Sequence, residues 1–404
     1  MNVTCFTRLI GIFFLACVSF LAYGQDVILE TQADVDAFDS SVTVVEGDLV
    51  IGSDGFEQNN IDDISSLSNV QSIEGQLLVR STQLSDLNEF LNLDFVESNI
   101  YLFNNELLAN IDGLIGLSSI NGSLYVAHND ILSNVDGFSN IVEIEGYLRF
   151  EFNHLLVDFA GFSKLESVGE YFGISHNLGV KNLNGFQNLN NVGGFFELSF
   201  NPLLSNFNSL SNITSVSSFI VLEANASLQN VDGFSSLEII SDNLYIHNNQ
   251  NLTNLDGLTN IESIFGNVEF SFNFSLSNCC GIQHLLEDPD AIDGAITIQN
   301  NPIECSSQEE ILEVNCSVSI NDLTELELTI TPNVISAGDQ LYIQSKVDIM
   351  GATIELRNTN GHSSMTETLV NSYIDLPENI SPGLYYLSIS MDGKVSTKKV
   401  MVVR

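Results

Sequence analysis

The chain has 404 residues, with 11 Lys and Arg against 52 Asp and Glu and a formal net charge of -41. That length sets an expectation of two or three units, and a hydrophobic fraction of 44% is that of a globular chain, not a disordered one. So acidic a surface repels nucleic-acid phosphates and anionic membranes, which excludes partners of both kinds.

Residues 1–24 read as a secretory signal. Arg8 supplies the positive start, Leu9 to Leu21 is apolar, and Ala22-Tyr23-Gly24 precedes a cleavage point at Gln25. The run is short for a bilayer span. It also continues past Cys17 through Val18-Ser19-Phe20-Leu21, which argues against lipidation at that cysteine. No later stretch is apolar and long enough to cross a membrane. The mature chain is therefore expected to be exported and soluble.

From residue 25 to about 320 the chain repeats. One apolar residue per unit falls at Ile100, Leu124, Leu148, Phe172, Phe196, Ile220, Leu244 and Val268, always 24 residues apart. Leu49 and Leu77 precede this run and Ile296 follows it, which gives eleven coils. A second apolar residue two positions later marks a short strand with one buried face. Three residues further on stands Asn105, Asn129, Asn153, Asn177, Asn201, Asn225, Asn249, Asn273 and, in the last coil, Asn301. An Asp-Gly pair recurs later in the unit, as in Asp136-Gly137 and Asp256-Gly257. One such unit cannot bury its apolar side alone, so neighbours stack into a parallel β solenoid. The Asn column is expected to be a ladder of buried structural amides. The Gly of each Asp-Gly pair is expected to take positive φ, with Asp capping the turn.

Gly122-Ser123-Leu124-Tyr125-Val126 and Leu244-Tyr245-Ile246-His247-Asn248-Asn249 carry a further likeness. This region, from about Gly47 to Cys316, resembles the receptor L-domain variety of leucine-rich repeat. The resemblance implies a β-rich solenoid that binds partners and has no catalytic centre of its own. Three positions depart from its pattern: Thr82 at an Asn position, Gly173 inside a strand, and Ser209 at a turn glycine.

Outward strand positions are the candidate binding surface. Tyr101, Tyr125, Arg149, Gly173, Glu197, Val221, Tyr245, Glu269 and Thr297 form one row, and Phe103, Glu151, Glu223 and His247 belong to the next. Tyr101, Phe103, Tyr125, Arg149, Tyr245 and His247 are the candidate ligand-binding residues. Tyr rings offer apolar area with a polar tip, which suits protein and sugar partners alike.

The mature chain retains Cys279, Cys280, Cys305 and Cys316. An even, clustered set in an exported protein favours two disulfides closing the C-terminal end of the solenoid. A vicinal 279–280 bridge would be strained, which leaves two connectivities open. A zinc site lacks the paired spacing it needs. Asp288, Asp290 and Asp293 form the best calcium candidate, although without EF-hand spacing, and no other cofactor is expected. His128, His154, His176, His247, His284 and His362 show no metal-ligand spacing and read as solvated side chains.

After a linker at 321–327, residues 328–404 change character. Short alternating segments at Leu328–Asn333, Gln340–Gln344, Ala352–Arg357, Ser372–Leu376, Tyr385–Ser390 and Lys398–Val403 are separated by turn residues, which indicates a small β-sandwich. Its Pro332-Asn333, Asn360-Gly361, Gly383-Leu384-Tyr385-Tyr386 and Lys399-Val400-Met401-Val402-Val403-Arg404 are similar to the type A C-terminal sorting domain of the type IX secretion system of Bacteroidota. The resemblance casts Pro332, Asn333, Gly361, Gly383, Tyr385 and Lys399 as sorting-signal residues and implies the type IX secretion machinery as a partner. It also implies release from the cell or attachment at the outer-membrane surface. No catalytic residues stand out. The expectation is an all-β, non-enzymatic recognition or adhesion protein for an extracellular protein or glycan. A carbohydrate-active enzyme on a β-helix and a structural surface-layer component are the alternatives.

Overall fold

A computed structural model describes residues 25–54, 59–314, 316, 328–332, 334–345, 349–358, 363–377, 379–391 and 394–403. The signal segment, the 321–327 linker, Asn333, Gly361 and His362 lie outside the described residues. The chain divides into two compact units between Leu312 and Glu313.

The first unit is built on a parallel sheet of 12 strands in which each strand pairs with those of the coils before and after it. Leu124 stands opposite Leu148 and Val126 opposite Phe150, so residues one repeat apart share a register position. The coil that begins at the strand Leu124–Ala127 explains the repeat. Leu124, Val126, Leu132, Val135, Phe138, Ile141 and Ile144 all point inward and are essentially inaccessible. A 3-10 helix at Asp136–Phe138 and a two-residue strand at Glu143–Ile144 close the coil. The short strands of successive coils pair in two further parallel sheets, of seven and three strands. One continuous apolar core runs through this unit from Leu29 to Ile311.

The periodicity predicts eleven coils, and the structure adds a twelfth strand, Val27–Leu29, paired with Leu49–Ile51. The coil between them has no ladder Asn. It is completed instead by a short helix at Gln32–Asp36, whose N-cap Thr31 and Asp34 form a capping box. Val35 on that helix is buried in the shared core.

The glycines of the Asp-Gly pairs correct one expectation. Gly137 lies in a 3-10 helix, and positive φ falls elsewhere in the coil, mainly on a column of non-glycine residues that includes His128, Phe152 and His176. Glycine is required because the neighbouring coil is so close. A Cβ on Gly137 would lie 2.0 Å from the Ile111 carbonyl oxygen. Ser209 meets the same constraint differently, donating its hydroxyl to the Leu183 carbonyl at 2.6 Å. The turn is capped by the residue two before the Asp: the Asn134 side chain accepts from the Asp136 amide at 3.2 Å.

The second unit holds a three-stranded and a five-stranded sheet. Leu341, Ile343, Ile354, Leu356, Leu387, Ile389, Val400 and Val402, from both sheets, share one core, as in a sandwich. The sequence pattern does not reveal the strand Ser363–Thr368. Its residues are almost all polar and exposed, so no apolar alternation marks it, and it pairs along one side only, with Thr353–Asn358.

Candidate recognition surface on the strand face

The strand face is held in shape by the residue column behind it. Asn105, Asn129, Asn153, Asn177, Asn201, Asn225, Asn249 and Asn273 are fully buried. Each donates Nδ2 to a carbonyl one coil back and accepts a backbone amide of that coil on Oδ1, and four of them, Asn177 included, also bond their own turn. Asn177 Nδ2 donates to the Ser175 carbonyl at 2.8 Å and to the Phe150 carbonyl, one coil back, at 3.0 Å. Its Oδ1 accepts from the Asn153 backbone amide at 2.9 Å. Asn301 ends the column, donating to the Phe270 carbonyl at 3.0 Å. Thr82 begins it, with its hydroxyl and amide both donating to Asn105 Oδ1. A strand in this column therefore cannot slide without breaking bonds on both sides.

On the outward side the structure brings Tyr101, Phe103, Tyr125 and Arg149 together. The Tyr101 and Tyr125 rings meet edge to face at 6.3 Å, and Phe103 lies 6.2 Å from Tyr125. The Arg149 guanidinium sits between two phenols, 5.8 Å from the Tyr125 ring and 5.9 Å from that of Tyr171. It pairs with Glu151 at 2.6 Å. Tyr125 donates its hydroxyl to Glu151, while Tyr171 and Ser199 donate to Glu197. Tyr147 donates to the Tyr101 hydroxyl at 3.3 Å.

Burial, reinforced by Glu151, pushes the Tyr125 hydroxyl far above the ordinary phenol range. Burial and then Glu197 do the same to Tyr171, and burial and then Tyr101 to Tyr147. All three phenols are thus neutral donors at any physiological pH. Burial works against the Arg149 charge, but Glu151 and its other neighbours outweigh it and raise its pKa. The result is a preorganised patch of rings around one fixed ion pair. It can stack against a ligand and exchange hydrogen bonds with it at the rim.

Tyr147 and Tyr171 escape a search confined to the strand positions, because each sits one residue before its strand. Their signal is periodic nonetheless: the same position carries Tyr147, Tyr171, Phe195 and Phe219 in four successive coils. The Tyr171, Phe195 and Phe219 rings stack at 3.8 and 4.6 Å. Gly173 also acquires a reason. A Cβ there would lie 2.0 Å from the Tyr171 hydroxyl, so the strand glycine lets that phenol fold across the sheet.

Tyr245 and His247 lie apart from this cluster, four coils beyond Arg149. Their rings are 5.7 Å apart, and His247 Nε2 is 3.5 Å from Glu269. His128 is exposed, as expected of a solvated side chain, and His176 is half-buried; both also stack on Phe152, at 4.5 and 4.6 Å. His284 Nε2 meets the Ile261 carbonyl at 2.7 Å.

Cys279 and Cys305 are joined in a disulfide that ties the last two coils together, and Cys280 and Cys316 are disulfide-bonded as well. Asp288 Oδ1 accepts from the Asp290 amide at 3.0 Å. Among the described residues no three His, Cys, Asp or Glu side chains form a group able to hold a metal ion. In the second unit, Gly383 and Tyr385 lie on the strand Gly383–Met391 and Lys399 on its neighbour Lys394–Val403. Tyr385 donates its hydroxyl to the Ser381 carbonyl at 2.9 Å, and Pro332 follows the strand Leu328–Thr331.

Among the described residues no helix is long and apolar enough to cross a membrane. No curated protein matches the sequence. The family model described as Receptor L domain matches residues 43–112, a stretch that contains Tyr101 and Phe103. With the repeating parallel strands, that match supports an L-domain-like repeat protein.

Proposed function

We propose that this chain is an exported recognition or adhesion protein that binds an extracellular protein or glycan through its strand face and catalyses no reaction. The observation that carries the reading is the cluster of Tyr101, Phe103, Tyr125 and Tyr147 around the Arg149–Glu151 pair, on a surface that the Asn column holds rigid. Rings and a guanidinium on a preorganised face are the groups that dominate binding energy at interfaces. The disulfides and the apolar leader at 1–24 support export, since disulfides persist in oxidising compartments.

Residues 328–404 serve, in this reading, as a type IX sorting domain that carries the solenoid across the outer membrane. The test is twofold. Arrays of extracellular proteins and of glycans, probed with the mature chain, should return a specific partner. In a Bacteroidota host, removal of residues 328–404 should leave the solenoid in the periplasm. Unchanged delivery to the surface or medium would overturn the sorting role, and steady turnover of an array glycan would overturn the non-enzymatic one.

A further inference from the structure

A second surface of the solenoid lies outside the strand-face cluster. The residue after each strand takes positive φ, and in four successive coils that residue is a ring: His128, Phe152, His176 and Phe200. These rings stack at 4.5, 4.6 and 4.5 Å, with interplanar angles of 10°, 25° and 16°. The next position in the column is Ala224. The ring column stops there, and Phe200 is left 42% exposed. A groove of about 340 Å³ opens at this step, lined by residues that include Phe152, His176, Leu178, Phe200, Pro202 and Ala224. Coils repeat at about the strand spacing of 4.8 Å, close to the separation of stacked rings. One further ring over Ala224 would therefore continue the column.

The lining is almost wholly apolar. A sugar docked there would find almost no polar lining for its hydroxyls, whereas a hydrocarbon ring needs none. Charge decides what carries the ring. The chain bears a net charge of -41, and residues 25–312 hold only four basic residues, Arg80, Arg149, Lys164 and Lys181. His154 also lines the groove, and Asp130, 3.9 Å from it, adds an acid beside it. A second copy of this chain would be repelled, and a basic segment would be attracted. We propose that this groove docks an aromatic side chain presented by a basic segment of a protein partner.

The chain has no Trp, so a tryptophan probe can be read without background. A lysine-flanked tryptophan peptide and its alanine counterpart would be titrated into the mature protein. The wild type should prefer the tryptophan peptide by at least about tenfold. Ala224→Phe should fill the step and erase that preference while leaving affinity for the alanine peptide unchanged. Phe already occupies the same backbone conformation at 152, 200 and 272, so this variant should keep its urea midpoint. Phe200→Ser, which removes the exposed ring without adding bulk, should also erase the preference. Tyr101→Ser with Tyr125→Ser should retain it, which separates this site from the strand face. Equal affinity of the wild type for both peptides would overturn the proposal, as would a preference that survives Ala224→Phe. Binding of a neutral glucan oligosaccharide that Ala224→Phe abolishes would assign the groove to glycans and overturn it too.

Discussion

Asn177 does at one residue what the whole solenoid depends on: its buried side-chain amide bonds its own turn and, twice, the coil before it, while its backbone amide donates to Asn201 in the coil after it. Asn177→Ala would strip partners from the Phe150 carbonyl and the Asn153 amide, both inside the core. Leaving a buried polar group unpaired costs about 1–3 kcal/mol, so the variant should lose on the order of 3 kcal/mol or more. A urea titration measures this, and an unchanged midpoint would mean that the ladder does not hold the coils. Asp256 offers the opposite sign. Burial first, and then Asp232, raise its pKa, although the Asn278 side chain works the other way. A raised carboxyl pKa means that the folded state holds the ionised form at a disadvantage. That disadvantage is present above the raised pKa and disappears as pH falls through it. Asp256→Asn should therefore raise the urea midpoint near neutral pH, and the gain should vanish in acid.

At the scale of the coil, packing between neighbours sets the sequence. Gly137→Ala would drive a methyl into the Ile111 carbonyl, on the backbone that opens the 3-10 helix Asp112–Gly116 of the neighbouring coil. The expected loss is about 2 kcal/mol or more, visible in the same urea titration. The disulfide between Cys279 and Cys305 spans 26 residues of sequence. Removing it by Cys279→Ser should cost about 3–4 kcal/mol and fray the last coils first, seen as faster amide exchange near Ile296–Gln299.

How much of this was legible follows from the same packing. The Asn column is visible in sequence because every coil faces the same buried carbonyl. The Asp-Gly glycine was visible as a position but not as a cause. A close approach between coils leaves no mark that distinguishes it from a positive φ. The first coil was hidden because a helix replaces its turn and no ladder Asn marks it. Within the candidate site, the strand row pointed to Tyr101, Tyr125 and Arg149. Tyr147 and Tyr171 contribute by folding over the sheet from the residue before the strand. Strand alternation cannot foresee that, and it needs Gly173 beneath one of them.

The whole molecule joins a rigid, strongly acidic solenoid to a small sandwich of different composition. Six of the ten Lys and Arg that follow residue 24 lie beyond residue 327. A solenoid of this kind presents many outward side chains in straight rows. The row changes character at Tyr101 to Tyr171, where rings converge on one ion pair, and this is the proposed recognition site. The most direct measurement is the affinity of Tyr101→Ser combined with Tyr125→Ser for the partner returned by the arrays, compared with wild type at matched urea midpoints. Two interface tyrosines of this kind should together carry about 2 kcal/mol or more, a loss of at least about thirtyfold. Full affinity in a double variant that remains folded would contradict recognition through the strand face.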